Sequence, residues 1–175
     1  PAFRIANETI EKDIALMEKY GVDVRCGAPA PSVKELKAMG YTHILFAVGA
    51  WKPGKLEIAG DVAGAIQWMK GVKAGNISVG GNIAVIGGGN TAMDAARLAK
   101  RSGARQVTLV YRRTRKYMPA NEHELALALQ DGVTFAELAA PVKQADGMLT
   151  CERMVLGQAD ASGRRSPVGS GEFCD

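Results

Sequence analysis

Apolar residues along the chain follow first one period and then another, and the changes between them mark out the elements. In residues 7–20, Ile10, Ile14 and Met17 recur at helical spacing, which predicts a helix capped by Asn7 and stopped at Gly21. Val22-Asp23-Val24 reads as a short strand. Ser32 is placed to cap a second helix over 32–39, ending at Gly40. His43-Ile44-Leu45-Phe46-Ala47-Val48 is a continuous apolar run, the pattern of a strand buried on both faces. The stretch after it, Gly49-Ala50-Trp51-Lys52-Pro53-Gly54, is rich in turn formers. Residues 62–72 predict a helix with Ala65, Ile66, Trp68 and Met69 on one broad apolar face.

Gly75 to Gly81 is a break, and a different pattern follows it. Asn82–Ile86 predicts a strand. Thr91–Arg101 predicts a helix with Ala92, Ala95, Ala96 and Ala99 on its small-residue side. Gln106–Tyr111 is the next strand, 119–130 a helix opening at Pro119, and Val133–Leu138 a third strand. Strands alternating with helices predict βαβ units and a parallel sheet. After residue 140, Thr150–Leu156 and the polar Gly/Ser/Arg stretch at 160–170 read as an antiparallel hairpin or meander. The expected fold class is α/β, a Rossmann-like domain with a parallel sheet, flanking helices and an antiparallel hairpin after the third strand.

The 175 residues are 47 % apolar and 23 % charged, ordinary globular proportions that allow a real core. The net charge of +4 is too small to argue for nucleic acid, so the position of the charge matters more. Cys26, Cys151 and Cys174 are far apart in sequence, odd in number and form no C-x-x-C pair. That argues against a disulfide scaffold, a redox dithiol and a zinc site, and fits a reducing cytoplasm. No apolar run approaches the roughly 20 residues of a membrane span. The start at Pro1 and the open ending Gly169–Asp175 read as a piece cut at both ends, without a signal peptide. His43 opens an apolar strand and reads as structural. His123 lies between Glu122 and Glu124 and reads as exposed. No catalytic residue and no metal ligand is assigned.

The chemistry lies after the strand Ile83-Ala84-Val85-Ile86. Gly87-Gly88-Gly89-Asn90-Thr91-Ala92 follows it, and a helix begins at once. This is the strand–turn–helix setting that gives a glycine fingerprint its meaning. Gly87 permits the tight turn, Gly89 lets the backbone approach a pyrophosphate, and Ala92 is small enough for helix and strand to pack closely. The helix N-terminus presents N–H groups and a positive dipole end to phosphates. The next strand ends Tyr111-Arg112-Arg113, followed by Arg115 and Lys116. Arg112 is 25 residues past Gly87, near the roughly 20-residue spacing at which an NAD site carries its acid. A guanidinium there suits a 2′-phosphate through paired hydrogen bonds. NADP(H) is therefore expected over NAD.

Other readings remain open. A glycine turn before a helix also serves plain packing, and the arginines also suit a solvated basic loop. Tyr111 and Tyr117 interleave with the charges as in an RNA-binding patch, but no nucleic-acid motif frames them, so no nucleic acid is expected. A free-standing short dehydrogenase lacks its Tyr-x-x-x-Lys pair. A non-catalytic nucleotide-binding or sensing module is the alternative function.

Gly87-Gly88-Gly89-Asn90-Thr91-Ala92-Met93-Asp94, Tyr111-Arg112-Arg113 and Met118-Pro119-Ala120 resemble the glutamate synthase small-subunit family. Pro1-Ala2-Phe3-Arg4-Ile5, Gly21-Val22, Ala47-Val48-Gly49-Ala50 and Gly60-Asp61 resemble that family's segment linking flavin and NADPH domains. Val33-Lys34-Glu35-Leu36-Lys37 with Gly40-Tyr41 is most similar to the branch of the selenate reductase iron–sulfur subunit. The resemblance covers nearly the whole chain. It implies that residues 1–75 are part of an FAD-binding domain and linker, and that 76–175 form an NADP(H)-binding Rossmann-like domain truncated at its C-terminal end. It implies that NADPH passes hydride to FAD in the full-length protein, with electrons leaving through iron–sulfur clusters in other domains or partners. Gly87, Gly88, Gly89, Asn90, Thr91 and Ala92 would hold the pyrophosphate, and Arg112 and Arg113 the 2′-phosphate. Asp94 and Glu124 match family positions near the nucleotide. Ala47-Val48-Gly49-Ala50 would lie close to FAD. The family's first flavin fingerprint and its cysteine clusters are absent from this sequence, so the fragment alone is expected to be inactive.

Overall fold

A computed structural model describes residues 1–175 except Pro53, Lys55, Ser162 and Arg164. Pro53, in the turn-rich stretch 49–54, and Ser162 and Arg164, in the stretch 160–170, therefore lie outside the described residues. The chain divides into two compact units, residues 1–52 and 53–175.

The first unit carries two helices, α1 (Asn7–Lys19) and α2 (Val33–Ala38). Ala6, not Asn7, occupies the N-cap of α1, and it offers no side-chain bond. Gly21 closes that helix at φ 86°, a left-handed conformation that costs glycine nothing, with Val22 N–H donating to the Met17 carbonyl. Ser32 caps α2 in a full capping box, its hydroxyl accepting from Glu35 N–H while Glu35 accepts from Ser32 N–H. The strands expected at Val22–Val24 and His43–Val48 do not form. Leu45 is 91 % exposed, and Phe46 and Val48 are also exposed. A strand buried on both faces needs sheet neighbours and covering layers, and residues 1–52 contain no strand to pair with it.

The second unit begins with α3 (Ala65–Lys73), followed by β1 (Asn82–Ile86), α4 (Asn90–Arg101), β2 (Gln106–Tyr111), α5 (Glu122–Gln130) and β3 (Thr134–Glu137). The three strands are parallel in the order β1-β2-β3, with Ile86 opposite Val110 and Tyr111 opposite Glu137. Two βαβ crossovers through α4 and α5 build this sheet. The expected helix at 119–130 starts later, at Glu122 rather than Pro119, because Asn121 supplies the cap, accepting from His123 N–H at 2.9 Å.

Strand alternation sorts the apolar residues of β2 between two layers. Val107 and Leu109 face the helices, where they pack with Met93, Ala96 and Ala99 of α4 and Leu125 and Ala128 of α5. Alanines three and four apart give α4 a small, flat face, which brings it close to the strands. Trp68 of α3 packs on the same core. Val110 faces the other way, against Ala139 and Cys151. Those two belong to an antiparallel meander, β4 (Ala139–Ala145), β5 (Met148–Ala159) and β6 (Arg165–Cys174). Leu138, at φ 56°, turns the chain out of the parallel sheet into the antiparallel one. Asp146 and Gly147, both with positive φ, form the two-residue hairpin between Ala145 and Met148. Residues 59–61 run along β4: Ala59 bridges Lys143, and Gln144 N–H donates to the Ala59 carbonyl at 2.7 Å.

One ionic cluster ties α4 to the end of α5. Asp131 accepts from Arg97 Nε at 2.8 Å and from Arg101 Nε and Nη2 at 2.8 and 2.7 Å. Arg97 is buried, and the Asp131 side chain is 14 % exposed. The Arg101 hydrogen bonds, supported by Arg97, hold the Asp131 carboxyl at about 2, while desolvation pulls the other way.

Candidate functional site

The turn after β1 and the loop after β2 meet at the carboxyl ends of the parallel strands, the edge at which open α/β sheets carry ligands. Gly87 continues the β1 ladder by one bond, donating to the Val110 carbonyl at 3.0 Å, and then turns at φ 131°. A side chain at that φ is strained, although space exists: a Cβ there would sit 3.5 Å from the Ala92 Cβ. Gly88 is needed for the opposite reason. It is buried, and a Cβ on it would come within 2.6 Å of the Tyr111 ring. Gly89 is the N-cap of α4, and a Cβ there would face open space. No side chain caps this helix. Asn90 and Thr91 are exposed, and helix geometry leaves their N–H groups without intrahelical partners. The 12-residue α4 thus opens its positive end beside a bare, accessible backbone. Ala92 is buried under it. Asp94 is half-buried and stands one turn into the helix.

The loop after β2 is locked to this turn. Tyr111 is buried, and its hydroxyl donates to the Tyr117 carbonyl at 2.8 Å. Ala120 N–H donates to the Gly88 carbonyl at 3.0 Å, which docks Met118-Pro119-Ala120 on the glycine turn. Between these anchors stand the cations. Arg112 is exposed. Arg113 is half-buried, and its Nε is buried with no hydrogen-bond partner among the described residues. Its carbonyl accepts from Leu138 N–H at 3.2 Å. Arg115 is already engaged: its N–H donates to Glu137 at 2.8 Å, and its guanidinium meets Glu122 at 3.2 Å. Lys116 is exposed, 6.0 Å from the Tyr117 ring centroid. Arg115, Lys116, Met118 and Asn121 are among the residues that line a groove of about 500 Å³. Glu124 is half-buried in the first turn of α5.

The structure therefore gathers Gly87 to Ala92, Arg112 and Arg113 around one sheet edge. Sequence reasoning missed Tyr111 as the residue that joins them; its signal was an aromatic residue closing an apolar strand directly before the arginines. His43 lies in exposed coil, its Nδ1 3.0 Å from Thr42 Oγ1, and His123 is exposed. Among the described residues, no group of three or more His, Cys, Asp or Glu is placed to hold a metal. No described helix is long and apolar enough to cross a membrane.

The profile of the pyridine nucleotide-disulphide oxidoreductase family matches residues 5–148. The chain belongs to that family. It is 39 % identical to YgfK of Escherichia coli (strain K12), over 98 % of this chain and 17 % of YgfK. It is 32 % identical to the glutamate synthase (NADPH) small chain of Azospirillum brasilense, over 95 % of this chain and 39 % of that protein. The chain thus spans well under half the length of these curated relatives. Mycobacterium tuberculosis FprA, solved in complex with NADPH, shares the fold with a TM-score of 0.58 at 18 % identity, over 81 % of this chain and 49 % of FprA. The likeness to glutamate synthase small chains and the α/β class both agree with the sequence reading.

Proposed function

We propose that this chain is the NADPH-binding part of a flavin-dependent, iron–sulfur-linked oxidoreductase of the glutamate synthase small-subunit kind, nearest its selenate reductase branch. The observation that carries the reading is Arg113. It is half-buried at the end of the strand beside an uncapped helix N-terminus, and its Nε has no hydrogen-bond partner among the described residues. A 2′-phosphate accepts from the guanidiniums of Arg113 and of the exposed Arg112. The turn Gly87 to Ala92 holds the pyrophosphate, with the N–H groups of Asn90 and Thr91 open to it and Gly89 the point of nearest approach. Asp94 and Glu124 flank the nucleotide.

The reduced nicotinamide supplies a hydride that flavin N5 accepts when both groups are bound. This chain binds and orients the donor; residues 1–75 contribute part of the flavin domain and its linker, and 76–175 the nucleotide domain. The iron–sulfur clusters belong to other domains or partners, because Cys26, Cys151 and Cys174 lie in no cluster spacing along the sequence. A reducing cytoplasm suits the three free thiols.

The test is calorimetric titration with NADPH and NADH, on the native chain and on Arg112→Ala with Arg113→Ala. The double variant is expected to lose about 1–3 kcal/mol for NADPH and little for NADH. An unchanged preference for NADPH would refute the assignment.

A further inference from the structure

Cys151 and Cys174 are distant in sequence but directly opposite each other in the β5–β6 ladder. Residues opposed across an antiparallel pair project to the same face, with Cα atoms about 4.5 or 5.5 Å apart depending on the ladder position. Both values fall inside the roughly 4.4–6.8 Å window of a disulfide. The side chains do share a face: Cys174 packs into the small cluster formed by Val110, Ala139 and Cys151. The register is pinned on both sides of the pair. Thr150 donates to the Asp175 carboxylate at 2.6 Å, and Gly171 N–H donates to the Glu152 carboxylate at 3.2 Å. Cys151 is buried and Cys174 half-buried, and both are free thiols.

We propose that Cys151 and Cys174 form a redox-sensitive dithiol, closing to a cross-strand disulfide when the chain meets a small-molecule disulfide such as glutathione disulfide. Cys174 is the entry point, being the more accessible of the two. Its thiolate attacks one sulfur of the small disulfide, forming a mixed disulfide and expelling one small thiolate. Cys151 then gives up its proton to solvent and attacks the Cys174 sulfur, expelling the second. The protein dithiol loses two electrons and two protons, and the small disulfide becomes two thiols. Burial, followed by the neighbouring Cys174 and Asp175, pushes the Cys151 thiol up, so Cys151 is the resolving thiol rather than the first to react. The bond would staple β6 to β5 directly beneath Val110, whose carbonyl accepts from Gly87.

The experiment uses the folded chain with the exposed Cys26 changed, Cys26→Ser, and glutathione disulfide as the probe. The expected product has lost two hydrogens, carries no glutathione, and is reversed by dithiothreitol. Trypsin cuts at Arg153 and Arg165 separate the two cysteines, so the product joins their peptides. Its thermal midpoint rises by several degrees over the reduced form, because the cross-link restricts the unfolded chain. Cys151→Ser is expected to stop at a glutathione adduct on Cys174, and Cys174→Ser to leave Cys151 unreacted. The proposal is overturned if the chain retaining both thiols ends as an unresolved adduct, forms only bonds between chains, or stays fully reduced while folded. That measurement needs neither variant to fold, and none of its outcomes depends on nucleotide binding.

Discussion

The Tyr111 ring fills the space that a side chain on Gly88 would occupy, with the nearest ring carbon 2.6 Å from the position of such a Cβ. The same tyrosine donates its hydroxyl to the Tyr117 carbonyl at 2.8 Å. One side chain thus sets both the height of the glycine turn and the path of the basic loop. The distance between the helix N-terminus and Arg113 is fixed by packing rather than left to two separate loops.

Gly88→Ala is expected to lower unfolding free energy by about 1–3 kcal/mol, the usual cost of overpacking a tight site. Urea denaturation measures it. Tyr111→Leu removes the obstructing ring, so the double variant should lose less than the sum of the two singles. Strict additivity would mean that the contact does not govern the turn.

Gly89→Ala separates binding from folding. Its φ of −96° suits any residue, and the Cβ would face open space. Stability should fall by no more than about 1 kcal/mol, since Ala is a poorer N-cap than Gly. NADPH affinity should fall at least several-fold, since the new methyl stands where phosphates approach the backbone. Calorimetry on the folded variant decides this, and unaltered affinity would move the pyrophosphate away from Gly89.

The β1–turn–α4–β2 unit was legible because each of its parts carries a local signal: an apolar strand, glycines, an alanine-lined helix face, a second apolar strand. The arginines at its end were legible by spacing alone. Contacts made through space were not. Nothing near Tyr111 in sequence announces Gly88, and nothing near Cys151 announces Cys174. The run His43–Val48 misled because an apolar stretch signals demand for burial, and residues 1–52 have no strand to meet it. Pro119 misled because proline suits a first helical position, while the actual cap, Asn121, lies two residues further on. β4 itself was missed, although the Asp146-Gly147 that follows it is a strong two-residue hairpin signal.

That hairpin supplies a prediction. Asp146 and Gly147 sit at φ 52° and 77°. Gly147→Ala forces a methyl into the left-handed region and should cost about 1 kcal/mol or more. Asp146→Asn retains tolerance of that region and should be neutral or slightly stabilising, since Asn-Gly is favoured in such turns. Thermal midpoints of both variants check the ordering, and equal losses would count against a turn of this type.

Asp131 sets an acid limit on the α4–α5 packing. Its carboxyl sits at about 2, below the ordinary 3.8, chiefly through hydrogen bonds from Arg101 and then from Arg97. With the folded value the lower one, the unfolded chain takes up the proton first as pH falls. The stabilisation is complete above about pH 4 and is lost between about pH 4 and pH 2. Arg101 is 46 % exposed, so solvent screening trims the linkage figure to about 1–2 kcal/mol. Asp131→Asn should lose this pH dependence. At pH 7 it should cost about 2–3 kcal/mol, because it removes the carboxylate facing the buried Arg97. Urea unfolding of both proteins from pH 7 to pH 2.5 tests the assignment. The two stability curves should converge toward the acid end, and curves that stay parallel through that window would place the acid sensitivity on other carboxylates.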